Sequence, residues 1–399
     1  MKAVVIRRHG GVEVLEIADL PKPVAGPGQI LLRVKAAGMN HLDTWVRRGL
    51  PGMTHPLPMI PGSDGAGVVE EVGPGVRDPK PGDRVFVSPG YSCGRCIECG
   101  SGREPLCKDY GIFGEHGNGL QAEYAALPAL NVMPLADGLS FEEGAAFPLV
   151  FLTAWHMLIG RARLRLGDDV LVHAGGSGVG TAAIQIAKLH GARVIATIGS
   201  HDKAAKVRGL GADEVVNYRE VDFLEEVRRI TGKRGVDVVL ESVGEETWDR
   251  SLKALARGGR LVTCGATSGY EGRTDLRYVF SRGLSILGST MGGRAELLRV
   301  ARLVGDRLLR PIIDRILPLE QVADGHRAMA GRSLFGKIVL APGSARALVR
   351  RDEARPRRAA GRRQPFPPAS GASGSSPRTA SPSSRSTGPR PGTPSILKW

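Results

Sequence analysis

Residues 170–197 read VLVHAGGSGVGTAAIQIAKLHGARVIAT, and this stretch decides the fold class of the chain. VLVHA (170–174) has the pattern of a buried β-strand, a glycine-rich turn follows it, and apolar positions then repeat at helical spacing up to His190. RVIATI (193–198) begins a second strand. A strand, a tight turn, a helix and a second strand form a β-α-β unit, whose turn lies at the positive N-terminal end of the helix. The stretch therefore predicts a site for a phosphate-bearing ligand.

The glycines of this turn leave the backbone open to a pyrophosphate. The dinucleotide-binding pattern G-x-G-x-x-G is met imperfectly, because Ser177 stands where the middle glycine is expected. The position after the first strand of a β-α-β series favours a dinucleotide site over the alternative, a turn that only packs a helix on a strand. The predicted cofactor residues are Gly175, Gly176, Ser177, Gly178, Val179 and Gly180.

Strands and amphipathic helices continue to alternate up to residue 289. Strand patterns occur at 214–218, 236–241, 260–264 and 284–289, and helical patterns at 202–211, 223–232 and 247–259. This alternation predicts an α/β fold with a doubly wound parallel sheet. Residues 1–130 instead hold short β-rich runs among many glycines and prolines, which indicates an irregular β module.

We expect a chain of 399 residues to form more than one domain. The predicted segments are a catalytic β domain (1–130), a dinucleotide-binding domain (131–288, with its core at 169–288), a return segment packing on the first domain (289–342), and a tail (343–399). The tail carries 11 Arg and one Lys against two acidic residues, so ten of the 15 net positive charges lie there. We predict that this tail is disordered; its functional alternative, an arm for nucleic acid or an anionic surface, is not favoured.

The longest near-continuous apolar stretch, residues 145–155, is shorter than the ~20 residues of a membrane-spanning helix. The N-terminal MKAVVIRRHGG also lacks the apolar run of a secretory signal. We therefore expect a cytoplasmic protein without a membrane partner.

Four of the five cysteines, Cys93, Cys96, Cys99 and Cys107, follow the spacing C-x2-C-x2-C-x7-C. Thiolates on such short loops favour a closed tetrahedral Zn²⁺ site, which leaves no position for a substrate and is therefore structural. Two disulfides or an iron–sulfur cluster are the alternatives. The fifth cysteine, Cys264, is interpreted as a packing residue.

The coenzyme is predicted from the residues that follow RVIATI. An NAD enzyme would present an acidic residue there to the ribose hydroxyls. The chain instead offers Ser200 and Lys203, with Tyr218 after the next strand, and Asp202 is interpreted as a helix cap. We predict NADPH, with NADH as the less favoured coenzyme.

The order of a β module, a cysteine lobe and a late nucleotide-binding domain resembles the medium-chain dehydrogenase/reductase superfamily over residues 1–342. The resemblance implies a GroES-like catalytic domain and a Rossmann domain. It also implies that a catalytic zinc, where present, would be held at the positions of Asn40, Ser63 and Leu149, none of which matches the family's Cys, His and Cys ligands. GMNHLDTWVRRG, GSDGAG and FPLVFLTAWHML resemble instead the quinone oxidoreductase and enoyl reductase branch.

This resemblance implies an oxidoreductase that transfers hydride from NADPH to a quinone or an α,β-unsaturated carbonyl, an enoyl thioester included, without a catalytic metal. We expect Asn40 to contact the substrate oxygen, Asp43 to brace its loop, His41 to be a possible proton donor, and Thr153 to face the nicotinamide. Trp45 is expected to line the pocket. Val243, Gly265 and Lys337 complete the predicted cofactor site.

Two other functions stay open at this point. One is a zinc-dependent alcohol dehydrogenase with the off-pattern ligands His41, His55 and Asp64. The other is a nucleotide- or nucleic-acid-binding protein that uses the basic tail. We further expect a homo-oligomer, a dimer or tetramer, because the strand at 284–289 would otherwise be an exposed sheet edge.

Overall fold

The structure is a computed structural model, and it describes residues 1–343. Within that range no helix combines the length and the apolar character that crossing a bilayer requires. The predicted disordered tail lies outside the described residues.

Residues 1–343 form 17 β-strands. They are β1 (Lys2–Ile6), β2 (Leu15–Asp19), β3 (Gln29–Gly38), β4 (Asp64–Val72), β5 (Arg84–Val87), β6 (Gly90–Tyr91), β7 (Gly111–Ile112), β8 (Tyr124–Pro128), β9 (Val132–Pro134), β10 (Asp169–Val172), β11 (Arg193–Ile198), β12 (Glu214–Asn217), β13 (Val236–Glu241), β14 (Leu255–Thr263), β15 (Ser285–Gly288), β16 (Ile313–Pro318) and β17 (Lys337–Ala341).

Eleven α-helices connect the strands in the described residues. They are α1 (His41–Arg48), α2 (Ile97–Gly100), α3 (Phe141–Ala146), α4 (Pro148–Trp155), α5 (Gly178–Leu189), α6 (Ala204–Gly209), α7 (Phe223–Ile230), α8 (Trp248–Lys253), α9 (Leu276–Arg282), α10 (Arg294–Gly305) and α11 (Val322–Ala330). A π-helical turn (His156–Arg161) extends α4.

Six parallel strands form one sheet in the order β12-β11-β10-β13-β14-β15. In order of their appearance this is 3-2-1-4-5-6, the arrangement of a dinucleotide-binding sheet. Val170 of the central strand β10 pairs with Val194 on one side and Val238 on the other, and all three side chains are fully buried. Apolar residues on both faces stabilise such a sheet because helices cover it on both sides. The predicted doubly wound fold is confirmed.

The second large sheet has the path β16-β17-β3-β4-β5-β9, with β8 also paired to β3. Its strands are antiparallel except for the β16–β17 pair. The return segment therefore supplies two strands to the first domain's sheet. Val132–Pro134, which the sequence prediction placed in the second domain, also belong to this sheet through pairing with β5.

The helix predicted over 247–259 is too long. It ends at Lys253, and β14 begins at Leu255, which pairs with Val236 of β13. A register shift separates this pair from the pairs that begin at Val238–Arg260, and Gly258 in between has φ +73°. Pairing with a buried neighbouring strand outweighs the local helical pattern here.

Candidate active site

A buried polar cluster lies where three strands of the antiparallel sheet meet. Gly38, near the end of β3, pairs with Val339 of β17 on one side and with Asp64 of β4 on the other. Asn40 follows β3 as the N-cap of α1, and Lys337 is the first residue of β17. The strand pairing therefore brings together Asn40, Asp64 and Lys337, which are far apart in sequence.

The three side chains bind one another directly. The Lys337 ammonium donates to Asp64 Oδ2 at 3.0 Å and also to Asn40 Oδ1. Asn40 Nδ2 donates to the same Asp64 Oδ2 at 2.9 Å. The Leu149 backbone N–H at the start of α4 donates to Asp64 Oδ1 at 2.8 Å. Asp64 is fully buried and Lys337 is 4% exposed, so this ion pair is shielded from water.

Asp43 holds the backbone at Asn40 in place. Its Oδ2 accepts from the Asn40 backbone N–H at 2.8 Å and from Gln121 Nε2 at 3.2 Å. Burial raises the pKa of Asp43 to about 7. This geometry is that of a helix cap and brace. Asp43 Oδ1, Ser63 Oγ and Gln121 Oε1 are buried with no hydrogen-bond partner among the described residues.

The positions that would hold a catalytic zinc in metal-dependent relatives carry an amide, a hydroxyl and an alkyl side chain. Asn40 is engaged with Lys337 and Asp64, and Leu149 contributes only its backbone N–H. Within residues 1–343, only the four-cysteine group brings three or more His, Cys, Asp or Glu ligand atoms close enough for one ion.

The off-pattern ligand set His41, His55 and Asp64 is not brought together as a metal site. His41 is exposed, with its ring 5.1 Å from that of Trp45. His55 is buried with its ring 5.2 Å from that of His9. Surrounding protein atoms, and to a smaller extent Arg48, lower the pKa of His41.

The glycine-rich turn joins β10 to α5 as predicted. Ser177 is the N-cap of α5, and its hydroxyl accepts from the Gly180 N–H at 3.0 Å. A Cβ at Gly180 would lie 2.3 Å from the Ala174 carbonyl oxygen, so this position requires glycine for the helix to pack closely on the strand. The predicted Val179 is half-buried in the first turn of the same helix.

The return segment (289–342) is hydrogen-bonded to the glycine-rich turn. The Gly336 N–H donates to the Gly176 carbonyl at 2.9 Å. The Lys337 side chain then passes Gly178, because a Cβ built there would lie 3.1 Å from Lys337 Cδ. Lys337 thus lies between the glycine-rich turn and the polar cluster.

Val243 and Gly265 follow the adjacent parallel strands β13 and β14. They therefore lie at the carboxyl ends of the strands, as does the glycine-rich turn after β10. The buried Glu241, the last residue of β13, was not predicted from the sequence. Its carboxylate accepts from the Val243 N–H at 2.7 Å and from Ser251 Oγ at 2.7 Å. His173 Nε2 lies 2.9 Å from the same hydroxyl, and burial lowers the pKa of this histidine. Glu241 could have been identified as an acidic residue at the end of the apolar strand VDVVLE (236–241).

The residues predicted for the coenzyme's 2′-phosphate follow the ends of two adjacent strands, Ser200 and Lys203 after β11 and Tyr218 after β12. Ser200 donates to Asp202, which lowers the pKa of that carboxyl. Lys203 Nζ donates to the Arg332 carbonyl at 2.8 Å. Partial burial lowers the pKa of Lys203, the nearby Asp202 and Asp314 raise it, and Arg219 and Lys206 lower it. Tyr218 packs on Gly199, because a Cβ there would lie 2.4 Å from its hydroxyl oxygen. Two further cations and two carboxylates therefore surround Lys203.

A cavity of about 1320 Å³ opens beside Gly265. Trp45 lines it as predicted, together with Tyr270 and the loop 102–106 of the cysteine lobe, which the sequence analysis did not anticipate. Thr153 is buried on α4 and does not line this cavity. His156, three residues further along, does line it and lies 2.9 Å from Glu296.

The four cysteines of the lobe converge. Their Sγ atoms all lie within 4.8 Å of one another, with Cys96–Cys99 and Cys93–Cys107 at 3.5 Å and Cys93–Cys99 at 3.9 Å. None forms a disulfide. Tetrahedral Zn²⁺ with Zn–S bonds of about 2.3 Å requires sulfur atoms about 3.8 Å apart. The donor set therefore fits a zinc ion.

Known proteins resemble the chain over most of its length. Residues 26–137 match the alcohol dehydrogenase GroES-like domain family, and residues 178–306 match the zinc-binding dehydrogenase family. Human quinone oxidoreductase is 32% identical over 350 residues, which cover 85% of this chain and 97% of that protein. The 2-haloacrylate reductase of a Burkholderia species is also 32% identical, covering 85% and 98%.

Among solved structures, one titled as an NAD-dependent alcohol dehydrogenase is 53% identical, with a TM-score of 0.82 over 86% of this chain and 99% of that one. The β module, the parallel sheet and these similarities agree on one family. The chain belongs to the medium-chain dehydrogenase/reductase superfamily and is an oxidoreductase of that family.

Proposed function

We propose that the protein is an NADPH-dependent reductase that transfers hydride to a quinone or an α,β-unsaturated carbonyl, enoyl thioesters included, without a catalytic metal. The observation that carries the proposal is the chemistry at Asn40, Ser63 and Leu149, where a zinc ion would need thiolate and imidazole ligands. Oxidising an alcohol requires a Lewis acid or its equivalent to stabilise an alkoxide. The oxygen of a conjugated carbonyl needs only hydrogen-bond donors as hydride arrives at carbon.

The coenzyme, when bound, supplies that hydride from its reduced nicotinamide. In the proposal the glycine-rich turn and the N-terminus of α5 hold its pyrophosphate, and Val243, Gly265 and Thr153 contact the nicotinamide side. Ser200, Lys203 and Tyr218 hold the 2′-phosphate. The charge of Lys203 supports NADPH over NADH, because the 2′-phosphate carries close to two negative charges and NADH lacks this group. Lys206 and Arg219 add to that positive charge, and Asp202 and Asp314 oppose it.

On the substrate side, Asn40 contacts the substrate oxygen and Asp43 positions the loop that carries Asn40. Asp43 positions the loop, as its bonds to the Asn40 backbone and to Gln121 indicate. The lowered pKa of His41 leaves its imidazole mostly neutral near pH 7, which weakens it as a general acid. The cavity beside Gly265 and Trp45 is proposed to hold the part of the substrate that lies away from its reacting oxygen, because neither Asn40 nor Lys337 lines it.

The four-cysteine lobe is proposed to hold one structural zinc ion. All four tetrahedral positions would be filled by thiolates, so the ion would have no open position for substrate. Its contribution is therefore to fold the loop 93–107, part of which lines the cavity.

A second candidate function is an NAD-dependent alcohol dehydrogenase. The 53% identity to a solved structure of that title favours it. The similarity to proteins named quinone oxidoreductase and 2-haloacrylate reductase supports the reductase, as does the replacement of the metal ligands.

One assay panel separates the two functions. Purified protein is offered quinones, enones, enoyl-CoA thioesters and, in the reverse direction, alcohols, each with NADP(H) and NAD(H), and its zinc content is measured. We expect turnover of quinones or conjugated carbonyls with NADPH and one zinc per chain. Faster oxidation of alcohols with NAD and two zinc ions per chain would establish the alcohol dehydrogenase instead.

A further inference from the structure

The ammonium group of Lys337 is hydrogen-bonded to one of the three former metal positions and is linked to a second through Asp64. It binds Asn40 directly; its partner Asp64 follows Ser63 in sequence and is bound by the Leu149 N–H. We propose that Lys337 is the oxyanion-binding group of the active site and the proton donor to the carbonyl oxygen of an α,β-unsaturated substrate. This inference rests on the proposed function and goes beyond the cofactor-binding role predicted for Lys337 from sequence.

The donor count of the ammonium supports a ligand at this point. A lysine ammonium has three N–H donors and no acceptor. Two of them are used, on Asn40 Oδ1 and Asp64 Oδ2, and the structure gives the third no partner within residues 1–343. The hydroxyl of Ser63, the residue before Asp64, is buried and also has no partner among the described residues. The unused N–H donor of a buried ammonium suits an oxygen atom that carries developing negative charge.

The location is also correct for an electrophile. The Lys337 side chain runs past Gly178, and the residue before it is hydrogen-bonded to Gly176 of the coenzyme turn. The ammonium then ends among residues of the antiparallel domain. A group that polarises the hydride acceptor has to stand between these two elements, because the acceptor itself lies between coenzyme and catalytic domain.

The chemical step balances with the groups named. Hydride from the reduced nicotinamide coenzyme forms a C–H bond at the β-carbon, the C=C π bond breaks, and its electron pair moves through the α-carbon to oxygen. Lys337 Nζ–H stabilises that enolate oxygen and protonates it, and the resulting amine recovers a proton from solvent. The enol returns to the carbonyl compound by tautomerisation. The substrate gains two electrons and two protons in total, and the coenzyme loses a hydride.

The competing explanation is that Lys337 only closes an ion pair with Asp64. Two variants separate these roles. Lys337→Met removes the ammonium but leaves the buried Asp64 carboxylate without its counter-charge, so we expect this single variant to be destabilised. Lys337→Met/Asp64→Asn removes both charges, and the new amide oxygen still accepts from the Leu149 N–H. Lys188→Met, which breaks the Lys188–Asp213 surface pair, is the matched control.

Steady-state kinetics on a conjugated carbonyl substrate give the first readout. We expect the double variant to melt near the parent temperature and to lose about 10²–10³-fold in kcat, the usual effect of removing one oxyanion donor, with little change in the KM for NADPH. A merely structural lysine predicts recovery of kcat in the double variant, and that result would overturn the proposal.

A second readout does not depend on turnover. The probe is 4-nitrophenol, whose phenolate imitates an enolate oxygen and absorbs in the visible range. We expect the parent and Lys188→Met to bind it as phenolate at a pH where the free probe is mostly neutral, and the double variant to lose that signal. Phenolate binding that is unchanged in the double variant, or absent in the parent, contradicts the proposal.

Failure of this inference is distinguishable from failure of the proposed function. If the parent reduces none of the conjugated substrates but binds phenolate through Lys337, the anion-binding role stands and the substrate class is wrong. If the parent reduces them and the double variant keeps its kcat, the function stands and Lys337 is not the oxyanion-binding group.

Discussion

At the scale of single residues, the coenzyme preference depends on a few side chains beyond β11. Lys203 is held by the Arg332 carbonyl beside two further cations, and Ser200 is engaged with Asp202. A charge-assisted hydrogen bond to a phosphate is worth about 1.5–3 kcal/mol.

We therefore predict that Lys203→Ala raises the KM for NADPH by about 10–100-fold, since about 1.4 kcal/mol corresponds to a factor of ten. The KM for NADH should change little, because NADH has no 2′-phosphate. Kinetics with both coenzymes at one fixed ionic strength measure the effect, with Lys188→Ala, at a half-buried lysine paired with Asp213, as the control. Equal weakening of both coenzymes, or a parent that prefers NADH, would remove Lys203 from the phosphate site.

The reverse change needs a second substitution. Gly199→Asp would offer NADH a carboxylate for its ribose hydroxyls, but a Cβ at this position meets the Tyr218 hydroxyl oxygen at 2.4 Å. Gly199→Asp/Tyr218→Ala makes room for the new side chain. We expect this double variant to favour NADH, measured as the ratio of kcat/KM for the two coenzymes.

Residue patterns predicted the glycine-rich turn after β10 well and the polar cluster of Asn40, Asp64 and Lys337 poorly. The turn is local, because Ser177 and Gly180 act within a single strand–turn–helix unit. Lys337 and Asn40 are 297 residues apart, and only the pairing of β17, β3 and β4 brings them together. A single sequence carries no signal for pairing between such distant strands, so Lys337 was assigned to the coenzyme alone.

At the scale of elements, the cysteine lobe has little apolar burial of its own. Residues 93–107 contain only a four-residue helix and one 3₁₀ turn, and no side chain of that helix is buried. We therefore expect the binding energy of the proposed zinc ion to supply the folding energy of the lobe.

We predict that Cys96→Ser loses the bound zinc and lowers the melting temperature. Cys264→Ser, which changes the one cysteine outside the lobe, should keep one zinc per chain. Elemental analysis and thermal unfolding of both variants test this. Full zinc content and the parental melting temperature in Cys96→Ser would show that the lobe does not hold the ion.

The strand predictions were accurate where a pattern was bounded by clear turn residues. β11 and β13 begin and end where the sequence indicated. The end of α8 was not predicted, because the run after Lys253 has helical spacing, and its strand conformation comes from pairing with β13. Element boundaries depend on neighbours in space, which local pattern does not include.

At the scale of the whole molecule, one edge of the parallel sheet is open. Among the described strands β15 has a single neighbour, β14, and beside it α9 has no buried residue. Leu276 and Phe280 on that helix are 72% and 75% exposed, and Ile286 of the strand is 39% exposed. An open strand edge beside exposed apolar side chains favours association of two chains there.

We predict a homodimer through β15, with a mass by light scattering of roughly twice the 42.3 kDa of the chain. Ile286→Arg should shift the mass toward that of a monomer, because it places a charge in the pairing edge. Leu298→Arg, an exposed leucine on α10, is the control and should leave the mass unchanged. A parent protein that is monomeric at micromolar concentration would refute the prediction.

Stability as a function of pH is a second property of the whole molecule. His326 is fully buried with both ring nitrogens unpartnered in the described chain, and burial, with Arg47 nearby, lowers its pKa to about 3. The unfolded chain binds a proton there below about pH 6.5, and the folded chain does not until about pH 3. Stability is therefore lost as the pH falls through this window. Asp43, whose pKa is raised, acts in the opposite direction below about pH 7.

We predict that His326→Leu reduces the loss of unfolding free energy between pH 7.5 and 5.5 by about 1.4 kcal/mol. Urea unfolding at the two pH values measures it. His201→Leu, at an exposed histidine, should behave like the parent. The same loss in His326→Leu as in the parent would show that His326 does not titrate on unfolding.

The place of β17 in the middle of the antiparallel sheet has a consequence for how the protein is made. This strand, at residues 337–341, lies between β16 and β3, and β3 is synthesised long before β17. During translation the antiparallel sheet lacks this interior strand until β17 has been synthesised. In the meantime Ala37 and Gly38, at the end of β3, lack their β17 partners, whereas β8 already pairs with Gln29–Arg33 on the same side. Closure of such a distant contact is slow. Nascent chains of this protein should therefore depend on holding factors that shield this open strand end until β17 has been synthesised.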